Sequence, residues 1–520
     1  MLQDMSDPIS VARRWVAEKD YDRALDAYRY ARTVALLEMA ELLRSLNRFD
    51  EAITQARALL DSKGPDFNAY ALIGSIHELR DKKREANNVY YEGHDALARI
   101  GQLQESADMA LAMVKVFPDR PHGYTNLGGV LCKLRRFEQA ENVLRQALTL
   151  EPKLAAAFNN LGLALTGLGR PPEAIAAYYE AAALAPDTNS IQVNVACSEL
   201  MAGNFKRGWA AYERRDSACS YPFIIPLDQR VLRSIDQVKG RRVFVYSELG
   251  LGDSIQFCRY LPQLAKAGAQ VVFAPHKPLL GLMKTLHQDI EIIEVGDQLP
   301  TFDFHCRLAS LAGLFGTDLE NPPPAPPYLA AEPARIAAWR DRLGADRFNV
   351  GVCWRSSPTG EREGRSFPVG QLAPLAAIKG VRLVSLQKQG DTAEREAIAA
   401  SGVEQLCEFD DATGFLEGAA LVTVCDLVIS TDTSMIHLAG ALNRPAWMPK
   451  PPHGDWRWLL NRSDTPWYPN TTLFRQTTMD DWDEVFVRVR QALETLVATL
   501  EGGCSERPGP RRASRLRPPT

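Results

Sequence analysis

Two stretches in the first half of the chain repeat one another at a distance of 34 residues. Seven positions match without a gap; the pairs are Leu127 and Leu161, Gly128 and Gly162, Leu131 and Leu165, Ala140 and Ala174, Leu144 and Tyr178, Ala147 and Ala181, and Pro152 and Pro186. Small residues stand where two helices must approach closely, and the proline ends the second helix of each unit. One such unit cannot bury its apolar face alone, so this part of the chain must stack its helices into a solenoid.

The period and the pattern resemble those of the tetratricopeptide repeat. Weaker copies precede the two clear ones, and a degenerate last copy runs from Gly203 to Tyr212. Between residues 68 and 106 the phase slips, because Ala86 precedes Ala140 by 54 residues, which is not a multiple of 34. We therefore predict a repeat array over residues 8–215, with an irregular or lengthened helix pair in that stretch.

Tetratricopeptide arrays usually bind an extended peptide or the surface of a partner on their concave face. Asn126 and Asn160 occupy equivalent places on the first helices of two repeats, and their amides can bind the backbone of a peptide. They are therefore our candidates for acceptor binding. Two alternatives stay open: the asparagines are solvated surface residues, or the array only caps and dimerises the protein.

The second half of the chain alternates short apolar runs with helical stretches. The runs of strand length are VFVYSE (243–248), QVVFAP (270–275), EIIEV (291–295), NVGVCW (349–354), VRLVSLQK (381–388) and DLVIS (426–430). This alternation indicates βαβ units with parallel sheets. The proline-rich segment 321–329 interrupts it, so we predict two Rossmann-like lobes, over residues 235–325 and 335–500. The predicted fold class is an α-helical solenoid followed by an α/β part, and the basic segment 502–520 has the composition of a disordered tail.

In the first lobe, Gly250, Gly252 and Asp253 follow the first predicted strand. Glycine at such a turn lets another group approach the backbone closely. Rossmann-like folds bind their ligands at the carboxyl ends of the strands, where this turn lies.

In the second lobe, the last predicted strand leads into Asp432, Thr433 and Ser434, and His437 follows one helical turn later. The start of a helix offers free N–H groups and a favourable dipole to a phosphate, and Asp432 can accept hydrogen bonds from ribose or sugar hydroxyls. Two alternatives stay open: Asp432 only caps the helix, and His437 is a buried histidine with its hydrogen bonds satisfied.

The motif S-x-D-T-x-x-x-H-L-A-G-A-x-x-x-P, from Ser430 to Pro445, resembles the donor-site motif of the heptosyltransferase-like GT-B glycosyltransferases. The turn at Gly252 and Asp253 resembles the first-lobe loop of the same family. The resemblance covers residues 240–498. Together with the repeats, the chain is similar to bacterial tetratricopeptide-coupled transferases, among them those proposed to glycosylate flagellin.

The resemblance implies a glycosyltransferase that uses a nucleotide-sugar as co-substrate and needs no other cofactor. It implies that Asp253 is the general base and that Lys388 contacts the donor phosphate, with Arg355 as a further phosphate-binding candidate. It also implies an inverting reaction. Since we find no DxD element of the kind that holds a divalent metal against a diphosphate, we expect no metal at the site; a helix N-terminus and basic side chains would stabilise the departing nucleotide instead.

Two aromatic runs, Asp455–Trp458 and Trp467–Pro469, have no heptosyltransferase counterpart. Aromatic side chains of this kind either stack on a sugar or a base, or pack the interface between the lobes. Both alternatives stay open at this point.

Composition limits the classes of partner that the protein is expected to bind. The formal net charge of -4 gives no reason to expect nucleic acid, and no run of 18 apolar residues or secretory signal is visible. Nine cysteines without a CxxC pair fit a reducing compartment, so we expect a cytoplasmic enzyme with a nucleotide-sugar and a polypeptide acceptor, flagellin being one candidate. The alternatives are a tetratricopeptide adaptor with inactive lobes and a transferase that acts on a glycolipid.

Overall fold

A computed structural model of the chain describes residues 13–15, 20–215, 230–294, 300–356, 364–388, 392–406, 409 and 413–502. The chain divides into two compact units, Met1–Ala185 and Pro186–Thr520. The basic tail beyond Gly502, and residues 8–12 of the predicted array, lie outside the described residues. None of the helices in the described ranges is both long enough and apolar enough to cross a membrane.

The first unit is a series of helices joined by short turns. They are α1 (Tyr21–Ser45), α2 (Phe49–Lys63), α3 (Phe67–Leu79), α4 (Lys83–Arg99), α5 (Leu103–Val116), α6 (Pro121–Lys133), α7 (Phe137–Leu150), α8 (Ala155–Gly167) and α9 (Pro171–Leu184). The repeated positions lie on the faces where these helices meet, and Leu127, Ala140 and Leu144 are buried there. The solenoid predicted for the first half is confirmed.

The repeated glycines mark the closest approach of paired helices. A Cβ atom added to Gly128 of α6 would lie 2.4 Å from Leu144 Cγ of α7. At the equivalent place one repeat later, a Cβ on Gly162 would lie 2.6 Å from Tyr178 Cε1. Only glycine fits at either position, because the space is filled by the facing side chain.

The slip in the repeat phase is caused by an additional helix. α2 and α4 start 34 residues apart, and so do α5 and α7, and then α7 and α9. Between the two series, α5 starts only 20 residues after α4. The irregular stretch predicted between residues 68 and 106 is therefore present, and α4 is also longer, at 17 residues, than the 13 or 14 residues of α6 to α9.

The second unit contains two helices of the repeat type and two parallel sheets. Its further helices are α10 (Asn189–Met201), α11 (Phe205–Tyr212), α12 (Leu251–Phe257), α13 (Leu261–Lys266), α14 (Leu280–Met283), α15 (Ser310–Leu314), α16 (Pro333–Leu343), α17 (Ala373–Ala376), α18 (Thr392–Ala400), α19 (Gly414–Val424), α20 (Ser434–Ala441) and α21 (Trp482–Gly502). The strands are β1 (Arg242–Tyr246), β2 (Gln270–Ala274), β3 (Ile290–Ile292), β4 (Phe304–Arg307), β5 (Phe348–Cys353), β6 (Val381–Ser385), β7 (Val403–Glu404), β8 (Leu427–Ser430), β9 (Ala446–Lys450) and β10 (Thr471–Arg475).

Both sheets are wholly parallel. The first has the strand order β3-β2-β1-β4, and the second has the order β10-β9-β8-β5-β6-β7. In each sheet the order reverses beside the first strand of the lobe, since β1 lies between β2 and β4, and β5 lies between β6 and β8. Such reversal points open a crevice at the carboxyl ends of the strands. The predicted pair of Rossmann-like lobes is confirmed as a parallel-sheet fold consistent with GT-B.

The degenerate last repeat, α10 and α11, belongs to the second unit and packs on the lobes. Trp209 of α11 is buried and donates its indole N–H to the Thr317 carbonyl at 2.8 Å. Its ring meets Trp456 at a centroid distance of 5.3 Å and Phe257 at 6.4 Å, both edge to face. An apolar contact of this kind between a helix pair and both lobes makes them one folding unit.

The aromatic runs are part of this interior. Trp456, Trp458, Trp467 and Tyr468 are each at most 3% exposed. Trp458, Trp467 and Tyr468 therefore pack against protein, and they do not line the cavity described below. Trp456 packs in the same interior and also lines that cavity, so for Trp456 both alternatives stay open.

Candidate functional site

A cavity of 1090 Å³ opens at the carboxyl ends of both sheets, within the second unit. Its walls come from the turn after β1, the loops after β5 and β6, the start of α20, the turn at Asp455–Arg457, and the last repeat. It brings together the residues predicted in both lobes, which are Gly250, Gly252, Asp253, Arg355, Lys388, Asp432, Thr433, Ser434 and His437.

The turn after β1 is shaped by close contacts. The Gly250 N–H donates to Asp253 Oδ2 at 2.9 Å, which fixes the carboxylate at the start of α12. A Cβ on Gly252 would lie 2.8 Å from His437 Cδ2 and 3.6 Å from the Ser434 Cα. Gly252 thus lets the first lobe approach the start of α20, so that Asp253 faces the second lobe's helix.

The second oxygen of Asp253 is held by an arginine that the sequence interpretation missed. Arg457 donates from Nη2 to Asp253 Oδ1 and from Nε to Gln256. Its Nη1 donates to both oxygens of Asp455 at 2.8 Å, and its guanidinium lies 4.3 Å from the centre of the Trp456 ring. One cation therefore joins two carboxylates from opposite sides of the cavity.

Charge and burial set the protonation of this group. Burial lowers the pKa of Arg457, but Asp455 and Asp253 outweigh it and hold that pKa well above its ordinary value. Burial raises the pKa of Asp455, and the charges of Arg457 and Arg365 bring it below its usual range. Asp455 and Arg457 are therefore an ionised pair.

Thr433, rather than Asp432, caps α20. The Thr433 hydroxyl accepts from the Met435 N–H at 3.2 Å and is 3.1 Å from the Ser430 hydroxyl. The alternative that Asp432 only caps the helix is therefore wrong. The Thr433 hydroxyl is thus engaged in the helix cap, and Ser434 is the first residue of the helix and lines the cavity.

Asp432 lies between two cationic or titratable groups and is largely buried. Its Oδ2 is 3.6 Å from Arg365 Nη1, and its Oδ1 is 4.0 Å from His437 Nε2. Burial raises the pKa of Asp432 above its ordinary value. The carboxylate is thus placed at the cavity wall with an arginine beside it that could also reach an anionic ligand.

His437 is a buried, neutral histidine that also lines the cavity. Its Nδ1 is hydrogen-bonded to the Tyr468 hydroxyl at 2.8 Å, and its ring stacks on Trp458 at 5.5 Å. Burial lowers its pKa to about 3. The alternative of a buried histidine with its hydrogen bonds satisfied thus holds for Nδ1. The other ring nitrogen, Nε2, faces Asp432.

The predicted basic residues lie on the second-lobe wall. Lys388, three residues after β6, is exposed at the cavity. Arg355, two residues after β5, pairs through Nη2 with Glu394 at 3.0 Å, and its backbone N–H donates to Gln387 Oε1 at 3.1 Å. These side chains and Arg365 put positive charge beside the start of α20, an arrangement suited to a phosphate.

The sequence interpretation also missed the contribution of the last repeat. Val193 and Cys197 of α10, Tyr212 at the end of α11, and Arg215 line the cavity. Arg215 is bound to Glu248, with Nη2 to Oε1 at 2.6 Å, which ties the repeat to the end of β1. The phase of the repeat gives no signal of this, because it predicts helix pairs and not what they pack against.

The predicted acceptor residues belong to the first unit and make contacts inside the array. Asn160 Nδ2 donates to the Thr125 carbonyl at 3.3 Å, and its Oδ1 accepts from Asn159 at 3.3 Å. Asn126 Nδ2 approaches Met113 Sδ at 3.8 Å. Both side chains are half-buried, so a role in acceptor binding stays a prediction.

Two known families match parts of the chain. A tetratricopeptide repeat family matches residues 125–189, and glycosyltransferase family 9 (heptosyltransferase) matches residues 298–446. The second match includes Lys388 and the segment from Asp432 to His437. Asp253 and Arg457 lie outside it.

Two named proteins are similar to part of the chain. Protein FlbA of Caulobacter vibrioides is 27% identical over 458 residues, which are 74% of this chain and 74% of FlbA. Protein O-mannosyl-transferase TMTC3 of Mus musculus is 22% identical over 187 residues, 35% of this chain and 20% of that protein, so the chain spans a fifth of its length.

Solved structures that match are repeat proteins. The crystal structure of MamA is 16% identical and covers 34% of this chain and 91% of that chain, with a TM-score of 0.22. A thermophilic TPR protein of Thermus thermophilus is 22% identical and covers 35% of this chain and 89% of that chain, with a TM-score of 0.23.

Proposed function

Because the chain contains tetratricopeptide repeats and a glycosyltransferase family 9 (heptosyltransferase) domain, we propose that it transfers a sugar from a nucleotide-sugar to a polypeptide that the repeat array binds. Flagellin is our candidate for that polypeptide, from the resemblance to bacterial tetratricopeptide-coupled transferases. The proposal also covers a cytoplasmic location and an inverting, metal-independent reaction.

The observation that carries the proposal is one cavity with complementary walls. Asp253 projects from the first lobe, while the start of α20, Lys388 and Arg355 lie on the second. A transferase needs a group that accepts the proton of the acceptor hydroxyl and a group that binds the diphosphate of the donor. A carboxylate on one wall and a cationic helix start on the other can fill these two roles.

In the proposed reaction, the acceptor hydroxyl oxygen forms a bond to the sugar carbon while the bond from that carbon to the phosphate oxygen breaks. Asp253 takes the hydroxyl proton, and the electron pair leaves with the nucleotide. The helix start at Ser434, with Lys388, Arg355 and Arg365, would stabilise the charge on the departing phosphate. The positive charge of these groups supports the proposal of a metal-independent reaction.

Asp253→Asn tests the general base at nearly unchanged size: the amide oxygen can still accept from Gly250, while the ion pair with Arg457 is lost. We expect turnover to fall by about 10²–10⁴-fold while nucleotide affinity changes little. The matched control is Asp318→Asn, since Asp318 caps a turn of the same lobe through the Glu320 and Asn321 N–H groups and does not line the cavity.

The assay follows sugar transfer and donor hydrolysis by the full-length chain, with donors chosen by a thermal-shift screen of UDP, GDP, CMP and ADP. Nucleotide at 100 times its Kd should stabilise the protein by about 2.7 kcal/mol. Turnover of Asp253→Asn equal to that of the wild type would remove the base from the proposal. A chain that binds none of the nucleotides would favour the adaptor alternative, and transfer only to a lipid-linked acceptor would favour the glycolipid one.

A further inference from the structure

The last repeat forms one wall of the catalytic cavity. Val193 and Cys197 of α10 and Tyr212 at the end of α11 line it, together with the turn that carries Asp253. These three side chains come from a helix pair of the type that binds peptides in repeat proteins. The wall from the last repeat and Asp253 thus face the same cavity.

The Tyr212 hydroxyl is unpartnered among the described residues. Its side chain is 6% exposed, and its hydroxyl makes no hydrogen bond with any residue in the described ranges. Three other tyrosines of this unit differ, because the hydroxyls of Tyr260, Tyr328 and Tyr468 are bound to Thr317, Arg259 and His437 at 2.7–2.8 Å. Because Tyr212 lines the cavity, its hydroxyl is open to a hydrogen-bond partner that a ligand can supply.

The ring of Tyr212 is fixed in place. Its centroid is 6.0 Å from those of Trp209 and Trp456, and the Arg215 guanidinium lies 4.7 Å from it. A phenol held on three sides points its hydroxyl in one direction at little entropic cost. It is therefore suited to positioning a substrate.

The hydroxyl lies within electrostatic reach of the proposed base. Burial raises the pKa of Tyr212, with a lowering effect of Arg457 and a further raising effect of Asp253. The phenol is therefore neutral and keeps its proton for donation. The proposed donor-binding residues Lys388 and Ser434 belong to the second lobe, whereas Tyr212 is on the repeat.

We propose that the Tyr212 hydroxyl donates a hydrogen bond to a backbone carbonyl of the acceptor polypeptide, next to the hydroxyl side chain that Asp253 deprotonates. This inference rests on the proposed function. A backbone carbonyl is the acceptor that every residue of a polypeptide provides, so the contact positions the chain without reading its sequence. Val193 and Cys197 form the apolar part of the same acceptor subsite.

Tyr212→Phe in the full-length chain removes only the hydroxyl and keeps the ring packing. Since a lost neutral hydrogen bond is worth about 0.5–1.5 kcal/mol, we expect the acceptor KM to rise about 3- to 10-fold. The donor KM, nucleotide binding and melting temperature should stay at wild-type values. Val193→Phe, which narrows the same wall, should also raise the acceptor KM and leave nucleotide binding intact.

The matched control is Tyr260→Phe, which removes a buried hydroxyl that is bound to Thr317 and does not line the cavity. We expect the opposite result: a lower melting temperature and an unchanged acceptor KM. An unchanged acceptor KM in Tyr212→Phe, or a change in the donor KM instead, would overturn the inference.

The same assay separates this inference from the proposed function. If the wild type transfers sugar, Asp253→Asn abolishes that transfer and Tyr212→Phe leaves it intact, only the acceptor subsite is overturned. A wild-type chain without any transfer overturns both.

Discussion

Arg457→Met is predicted to destabilise the second unit and to disorder the proposed base. Methionine keeps most of the packing volume beside the Trp456 ring but removes the charge and all hydrogen-bond donors of the side chain. Asp253 and Asp455 would then face one another in the cavity without the cation that joins them.

The magnitude follows from the burial of the three groups. The side chains of Arg457, Asp455 and Asp253 are 8%, 15% and 25% exposed. Breaking a buried ion pair by removing one partner costs about 3–5 kcal/mol. Because water can still reach part of Asp253, we expect the lower end, a loss of about 3 kcal/mol in the free energy of unfolding.

The measurement is urea-induced unfolding of the full-length chain, followed by fluorescence of the buried tryptophans. Arg462→Met is the control, because Arg462 and Asp464 form an ion pair of 2.6 Å whose side chains are 31% and 46% exposed; such pairs are worth less than about 1 kcal/mol. In an Asp253→Asn background the cost of Arg457→Met should shrink, since one stranded carboxylate is gone. Equal losses in Arg457→Met and Arg462→Met would refute the buried-pair reasoning.

Two further predictions concern His437 and the repeat array. Burial lowers the pKa of His437 to about 3, whereas the pKa of an unfolded histidine is ~6.5. Between these two pKa values the unfolded chain binds more protons than the folded chain. The free energy of unfolding therefore decreases as the pH falls through this range. From pH 7 to pH 5, the wild type should lose about 2 kcal/mol more than His437→Asn in chemical unfolding, and equal losses would contradict this. Replacing Asn126 and Asn160 with alanine should raise the acceptor KM and leave donor hydrolysis unchanged, unlike the control Asn88→Ala at an exposed position of α4; unchanged acceptor KM would exclude them from acceptor binding.

Periodic patterns carried most of what could be predicted. The 34-residue register specified the solenoid, because each repeat places the same small residues where neighbouring helices meet. Alternation of apolar runs with helical stretches specified the parallel sheets. The motifs around Asp253 and Asp432 were placed correctly at strand ends, because a strand followed by a helix is a local feature.

Some strands escaped prediction for reasons that are also local. β9 contains Pro449, and proline in a run argues against a strand inside a sheet. β9 pairs with β8 only at Ala446 and Trp447, so Pro449 lies beyond that ladder, although it lies opposite Phe474 in the ladder with β10.

What the sequence by itself determined is thus the repeat array, the two parallel-sheet lobes and the two turns that carry the candidate residues. Only the tertiary structure decided that the last repeat joins the lobes, that Arg457 binds Asp253 across 204 positions, and that Tyr212 lines the same cavity. The physical reason is that local patterns report which face of an element is apolar. The partner of a buried charge or hydroxyl depends instead on how distant elements pack, and that arrangement exists only in the folded chain.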